Sequence, residues 1–224
     1  MLSCIHQHAP HARAMVIALH GLGATADNLQ PLAHQFQSAD GGIGFIFPQA
    51  PTRPVTINAG QAMPAWYDIF SLSGLDDFDH SAMLESIEEI HQIIDAQVQQ
   101  GFEPEKIALL GFSQGGAVAI LAALSYPKPL GALCALSTLI QCPKGFESRI
   151  QPHAQHMPIF QAHGEWDPVL PMVIGQHARR QLNEWGCQVN WHEYPMGHDI
   201  CPEEVVAIKQ VLHEALLKPK AVSE

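Results

Sequence analysis

Basic residues are scarce in this sequence. Lys and Arg number 11 against 22 Asp and Glu, for a formal charge of −11. Phosphate backbones and anionic lipid surfaces repel such a chain, so nucleic acid is not an expected partner. Charged residues of both signs reach only 15% while apolar ones reach 47%. That balance excludes a disordered chain and suits a globular protein with a large interior. No apolar run approaches the roughly 18 residues a membrane span requires, so no stable membrane insertion is expected. Residues 1–15 lack a basic region followed by an apolar stretch, so no signal peptide is expected either. The five cysteines (Cys4, Cys134, Cys142, Cys187 and Cys201) are odd in number and contain no CxxC pair. They read as thiols of a reducing compartment, and a cytoplasmic location is the expectation.

What is present is an alternation of short β-type runs with amphipathic stretches, the pattern of a mostly parallel sheet covered by helices on both faces. The expected strands are 14–19, 43–47 (stopped by Pro48), 107–110, 130–136, 158–162 and 189–194. Helices are expected after the first strand (Leu29, Leu32, Ala33 and Phe36 on one face), over Met83 to Val98 with Gly101 closing the end, over 117–124, over about 173–185, and from Pro202 onward. Residues 48–77 read as one long irregular segment, a length that is usually functional. With 224 residues and neither repeat nor linker, residues 1–224 are expected to form a single domain without a large cap.

The sequence Gly111-Phe112-Ser113-Gln114-Gly115 fits the G-x-S-x-G pattern of a strand-to-helix elbow that exposes a nucleophilic serine. With glycine at roughly 7% of residues, a chain of this length meets the pattern by chance about once in fifteen. The context decides: an apolar strand precedes the motif and a compact helix follows it, as the elbow requires.

Serine needs a base, and the base needs a carboxylate to fix its tautomer. In chain order these follow the serine as Asp or Glu, then His. His198 lies in a glycine-containing loop between the last strand and the last helix. His177, His192 and His213 fall inside helices or a strand, where packing explains them. The acid is expected just after strand 158–162, where Asp167 is the first choice and Glu165 the second. Asp199 adjoins the histidine itself and suits capping of the final helix better. Acyl transfer also needs two N–H donors for the developing oxyanion. Gln114 follows the nucleophile at a helix N-terminus, and Leu22 in His20-Gly21-Leu22-Gly23 supplies the second, with His20 as a turn brace. Met63, Trp66 and Leu170 are the expected lining of an acyl pocket, with Trp66 near its entrance. No metal site is expected.

With these residues in place, the chain resembles the carboxylesterase/phospholipase family of α/β-hydrolases that includes the acyl-protein thioesterases. The likeness runs from about 14 to 216 and rests on HGLGATADN, PQAPTRPVTINAGQAMPAWYDI, GFSQGG, HGEWDPVLP and PMGHDICPEE. Glu165 stands where aspartate is expected in many relatives, Trp166 is unusually bulky, and the stretch 69–79 is short. The resemblance implies an α/β-hydrolase fold, a Ser113–Asp167–His198 triad, an oxyanion hole from Leu22 and Gln114, no cofactor, and hydrolysis of esters or thioesters with medium acyl chains. The substrate class is then a small-molecule ester or thioester, or an acylated protein or lipid, acted on by a monomer or homodimer.

Other readings make different demands. A general carboxylesterase and a protein deacylase would share every residue named. A non-catalytic relative would be expected to lack a triad member, and none is missing. A metal protein is suggested by the fourteen histidines and the cluster His6-x-His8-x-x-His11, but no carboxylate or cysteine completes a site nearby and the segment reads as a solvated terminus.

Overall fold

The computed structural model describes residues 2–8, 11–36, 42–71 and 74–218. Among these described residues, nine strands and five α-helices run in the order β1 (Cys4–Gln7), β2 (Ala14–Leu19), α1 (Gln30–Phe36), β3 (Ile43–Pro48), β4 (Thr52–Val55), β5 (Gln61–Pro64), α2 (His80–Gln99), β6 (Ile107–Phe112), α3 (Gln114–Ser125), β7 (Ala132–Leu136), β8 (Ile159–Gly164), α4 (Met172–Glu184), β9 (Val189–Tyr194) and α5 (Pro202–Leu216). Seven strands form one sheet in the order β1-β3-β2-β6-β7-β8-β9. Every pairing in it is parallel except that of edge strand β1 with β3.

The strand sequences show why both faces are covered. In β2 and β6, Met15, Ile17, Leu19, Ile107 and Leu109 join one core, while Ala14, Val16, Ala18, Ala108 and Leu110 join the other. Successive side chains leave a strand on opposite sides, so an unbroken apolar run must be buried on both. Helices α2, α3 and α4 supply the first core, and α1 and α5 the second. Residues 114–124 of α3 are buried all round, as their small and apolar composition demands.

Three expectations change here. The segment 48–77 is not wholly irregular, because β4 and β5 pair as a small antiparallel hairpin. The N-terminus is not simply solvated, because Cys4–Gln7 extends the sheet edge with His6 opposite Ile46. Asp199 does not cap the last helix: its carboxylate accepts the neighbouring Ile200 N–H at 2.8 Å, and the N-cap residue is Cys201.

The chain leaves β2 for β3 on one side, then returns to place β6 on the other side of β2. The order therefore reverses between β2 and β6. A crevice opens at the carboxyl ends of strands at such a point, and ligands of open α/β sheets bind there. The segments leaving it are His20–Gly23 and Ser113.

Candidate active site

At the end of β6, Ser113 has φ 55° and ψ −124°, a strained conformation for a residue with a Cβ. It persists because its surroundings overdetermine it. The Ser113 N–H donates to the Leu136 carbonyl at 3.0 Å, and its carbonyl accepts the Thr138 hydroxyl at 2.7 Å. The flanking glycines are steric necessities. A methyl on Gly111 would lie 2.6 Å from the Gly116 Cα, and one on Gly115 would meet the carbonyls of Leu19 and His20.

The imidazole of His198 lies between two partners. Its Nε2 is 2.9 Å from the Ser113 Oγ, and its Nδ1 is 2.6 Å from the Asp167 Oδ2. The other oxygen of Asp167 accepts the N–H groups of Val169 and Leu170, both at 2.8 Å. Asp167 is buried and His198 half-buried, and the Phe112 ring lies 4.8 Å from the imidazole. A carboxylate that accepts Nδ1–H leaves Nε2 free to take a proton from the hydroxyl, which makes the oxygen a nucleophile. Glu165 does not enter this series. Its side chain is exposed, and its amide extends the β8–β9 pairing to the Tyr194 carbonyl at 2.8 Å.

The loop after β2 lies against the serine: a methyl on Gly21 would approach the Ser113 Cβ to 3.2 Å. Gly23, with φ 73°, is tied to the Pro64 carbonyl at 2.8 Å. Among the described residues, the amides of Leu22 and Gln114 have no hydrogen-bond acceptor. Two orphan donors beside a nucleophile, one of them at a helix N-terminus, suit a developing oxyanion.

The expected pocket residues divide. Met63 is half-buried, with its sulfur close to Gly23 and 3.2 Å from the Asn58 amide nitrogen. Leu170 is half-buried against the core. Trp66 is not at an entrance, because it is fully buried. Its indole N–H donates to the His20 carbonyl at 2.8 Å, and its backbone N–H donates to the Gln114 side-chain oxygen at 2.9 Å. It spans the two segments that carry the orphan amides.

Two further groups escaped the sequence reading. The Gln114 side chain returns a hydrogen bond to the Tyr67 carbonyl at 2.8 Å. His163 is fully buried, with Nε2 donating to the Leu170 carbonyl at 2.7 Å and lying 3.6 Å from the Asp167 Oδ2. It thereby pins the loop that wraps the carboxylate. Its place four residues before Asp167 was the available signal.

Among the described residues, no three His, Cys, Asp or Glu side chains are grouped to hold a metal ion, and no helix is long and apolar enough to cross a membrane.

A profile of the phospholipase/carboxylesterase family matches residues 2–216. Acyl-protein thioesterase 1 of Cryptococcus neoformans var. neoformans serotype D is 36% identical over 220 residues, covering 91% of this chain and 92% of that protein. Carboxylesterase SOBER1 of Arabidopsis thaliana is 34% identical over 209 residues, covering 92% of each. The crystal structure of Arabidopsis thaliana SOBER1 superposes with a TM-score of 0.85 at 33% identity, covering 92% of this chain and 100% of that one. With the elbow and the sheet order already described, these likenesses leave one conclusion: the chain belongs to the phospholipase/carboxylesterase family of α/β-hydrolases.

Proposed function

We propose that this protein is a serine carboxylesterase that hydrolyses esters with short-to-medium acyl chains through an acyl-enzyme, with Ser113 as nucleophile, His198 as base and Asp167 as the group that orients it. One observation carries the reading: the continuous series Ser113 Oγ, His198 and Asp167 at 2.9 and 2.6 Å. His198 takes the hydroxyl proton as Oγ attacks the acyl carbon. The tetrahedral oxyanion accepts the N–H groups of Leu22 and Gln114. His198 then gives its proton to the departing alcohol, and water repeats the sequence to release the acid.

The substrate is a small-molecule ester, with Met63 and Leu170 beside the acyl chain. The free cysteines support a cytoplasmic setting. A second reading, a thioesterase acting on S-acylated proteins or a lysophospholipase, is favoured by the acyl-protein thioesterase relative and uses the same residues. A fluorophosphonate probe tests the chemistry. Mass spectrometry should find the adduct on Ser113 in the native protein and none in His198→Ala; a native protein that resists the probe refutes the reading. A chain-length series of p-nitrophenyl esters run beside an S-acylated peptide separates the two substrate classes.

A further inference from the structure

His20 directly follows β2 and is only 1% exposed, and its ring is tied at both nitrogens. The Ala50 backbone N–H points at Nε2 from 3.1 Å. A backbone amide can only donate, so Nε2 holds its lone pair and the proton sits on Nδ1. Nδ1 faces the Gly21 carbonyl oxygen at 2.8 Å. Burial holds the imidazole below its usual range, opposed in part by the bond to Gly21, so the ring stays neutral in this one tautomer. The backbone is anchored as well, through the Trp66 indole N–H on the His20 carbonyl.

The consequence falls on the next peptide unit. In a planar trans peptide, the carbonyl of Gly21 and the N–H of Leu22 point in opposite directions. The imidazole and the Ala24 N–H, at 3.2 Å, both draw the Gly21 carbonyl to their side. The Leu22 N–H must therefore face the other way. We infer that His20 is a positioning residue for the oxyanion site, fixing the Gly21–Leu22 peptide so that Leu22 presents its N–H to the substrate carbonyl. The inference rests on Ser113 being the nucleophile.

Such a lock is needed because glycine offers little resistance to a turned peptide. If this unit rotated by half a turn, the Leu22 donor would be lost and the Gly21 carbonyl oxygen would face the developing negative charge. One group would then change from stabilising to repelling.

Two substitutions separate this role from simple bracing. His20→Asn places an amide nitrogen where Nδ1 stood, keeping a donor for Gly21 and losing the acceptor for Ala50. His20→Gln reaches the Nε2 position, keeping the acceptor and losing the donor. With p-nitrophenyl acetate, His20→Gln should lower kcat by about 10²-fold, the scale of a lost oxyanion donor, with KM little changed. A boronic acid that mimics the tetrahedral intermediate should lose affinity in parallel. His20→Asn should recover most of the loss even where it melts at a lower temperature. Equal losses in both variants, or losses that follow melting temperature alone, overturn the inference. Ring ¹⁵N shifts of the native protein test it without substitution: a proton on Nδ1 supports it and one on Nε2 refutes it. If fluorophosphonate fails to label Ser113 and Ser113→Ala still turns over, the catalytic reading itself has failed. If Ser113 is labelled and essential but His20→Gln matches the native enzyme, only the role of His20 has.

Discussion

Gly164 and Gly197 stand in direct backbone contact. A methyl group on Gly164 would lie 2.6 Å from the Met196 carbonyl oxygen and closer still to that of Gly197. Hydrogen bonds from Glu165 to Tyr194 and from Trp166 to Met196 continue the β8–β9 pairing past the strand ends. The loop carrying Asp167 and the loop carrying His198 are thus held as one unit. In Gly164→Ala the obstruction is backbone, which cannot rotate aside. The loops must separate, and a displacement near 1 Å can cost about 10²-fold in rate. A fall of at least about tenfold in kcat with p-nitrophenyl acetate is expected, with overpacking lowering stability by about 1–3 kcal/mol in urea unfolding. Full activity in this variant would show that the glycine contact does not set the spacing.

The bonds to Asp167 fix what an amide would do in its place. Oδ1 takes two backbone N–H groups, so in Asp167→Asn the amide oxygen stays there and the NH₂ turns toward His198. The Nδ1 must then accept, which puts the ring proton on Nε2 and leaves no base for Ser113. A loss in kcat of about 10⁴-fold is the expectation for such a tautomer error. Glu165→Gln, with its exposed side chain, should stay within about twofold. Steady-state kinetics on the two variants decides the assignment, and comparable losses in both would contradict it.

How far these features were legible depends on whether the cause was local. Strand β2 was readable to the residue because a fully apolar run has few other places to go. The elbow and the acid and histidine loops were readable because tight turns force glycine and proline into fixed positions. The β4–β5 hairpin was hidden, since Pro54 and Pro64 argue against strands and neither strand is buried on both faces. Strand β1 was hidden because an edge strand with His6 exposed lacks an apolar signature. Trp66 was misplaced because a sequence shows that an aromatic wants burial but not whether protein or ligand supplies it. His163 acts only through a loop that the fold bends back upon it, so only its spacing from Asp167 could have been seen.

The true position of Trp66 makes its own prediction. Trp66→Phe keeps an aromatic body but removes the N–H that satisfies the buried His20 carbonyl. An unpaired buried acceptor costs about 1–3 kcal/mol, so urea unfolding should show a loss on that scale. Because the Trp66 backbone N–H still reaches Gln114, labelling of Ser113 by fluorophosphonate should persist. An entrance residue would behave oppositely, leaving stability alone and altering the preference for acyl length in an ester series.

Glu204 carries a pH dependence with a definite sign. It sits in the first turn of α5, fully buried, and neither carboxyl oxygen is in hydrogen-bonding geometry with a donor among the described residues. Burial, opposed by the Cys201 amide and aided by the charge of Asp199, pushes its carboxyl from 4.5 up to about 8. Between those values the folded protein holds a proton that the unfolded chain has released. The stabilisation is complete below about pH 4.5 and is lost as pH rises through about 8, at a rate of about 1.4 kcal/mol per pH unit inside the window. Glu204→Gln removes the proton from this balance. Urea unfolding at pH 5, 7 and 9 should therefore find the variant gaining on the native protein at each step, with the largest advantage at pH 9. Parallel stability curves for the two proteins would mean that the carboxyl is ionised in the fold and that burial does not hold its proton.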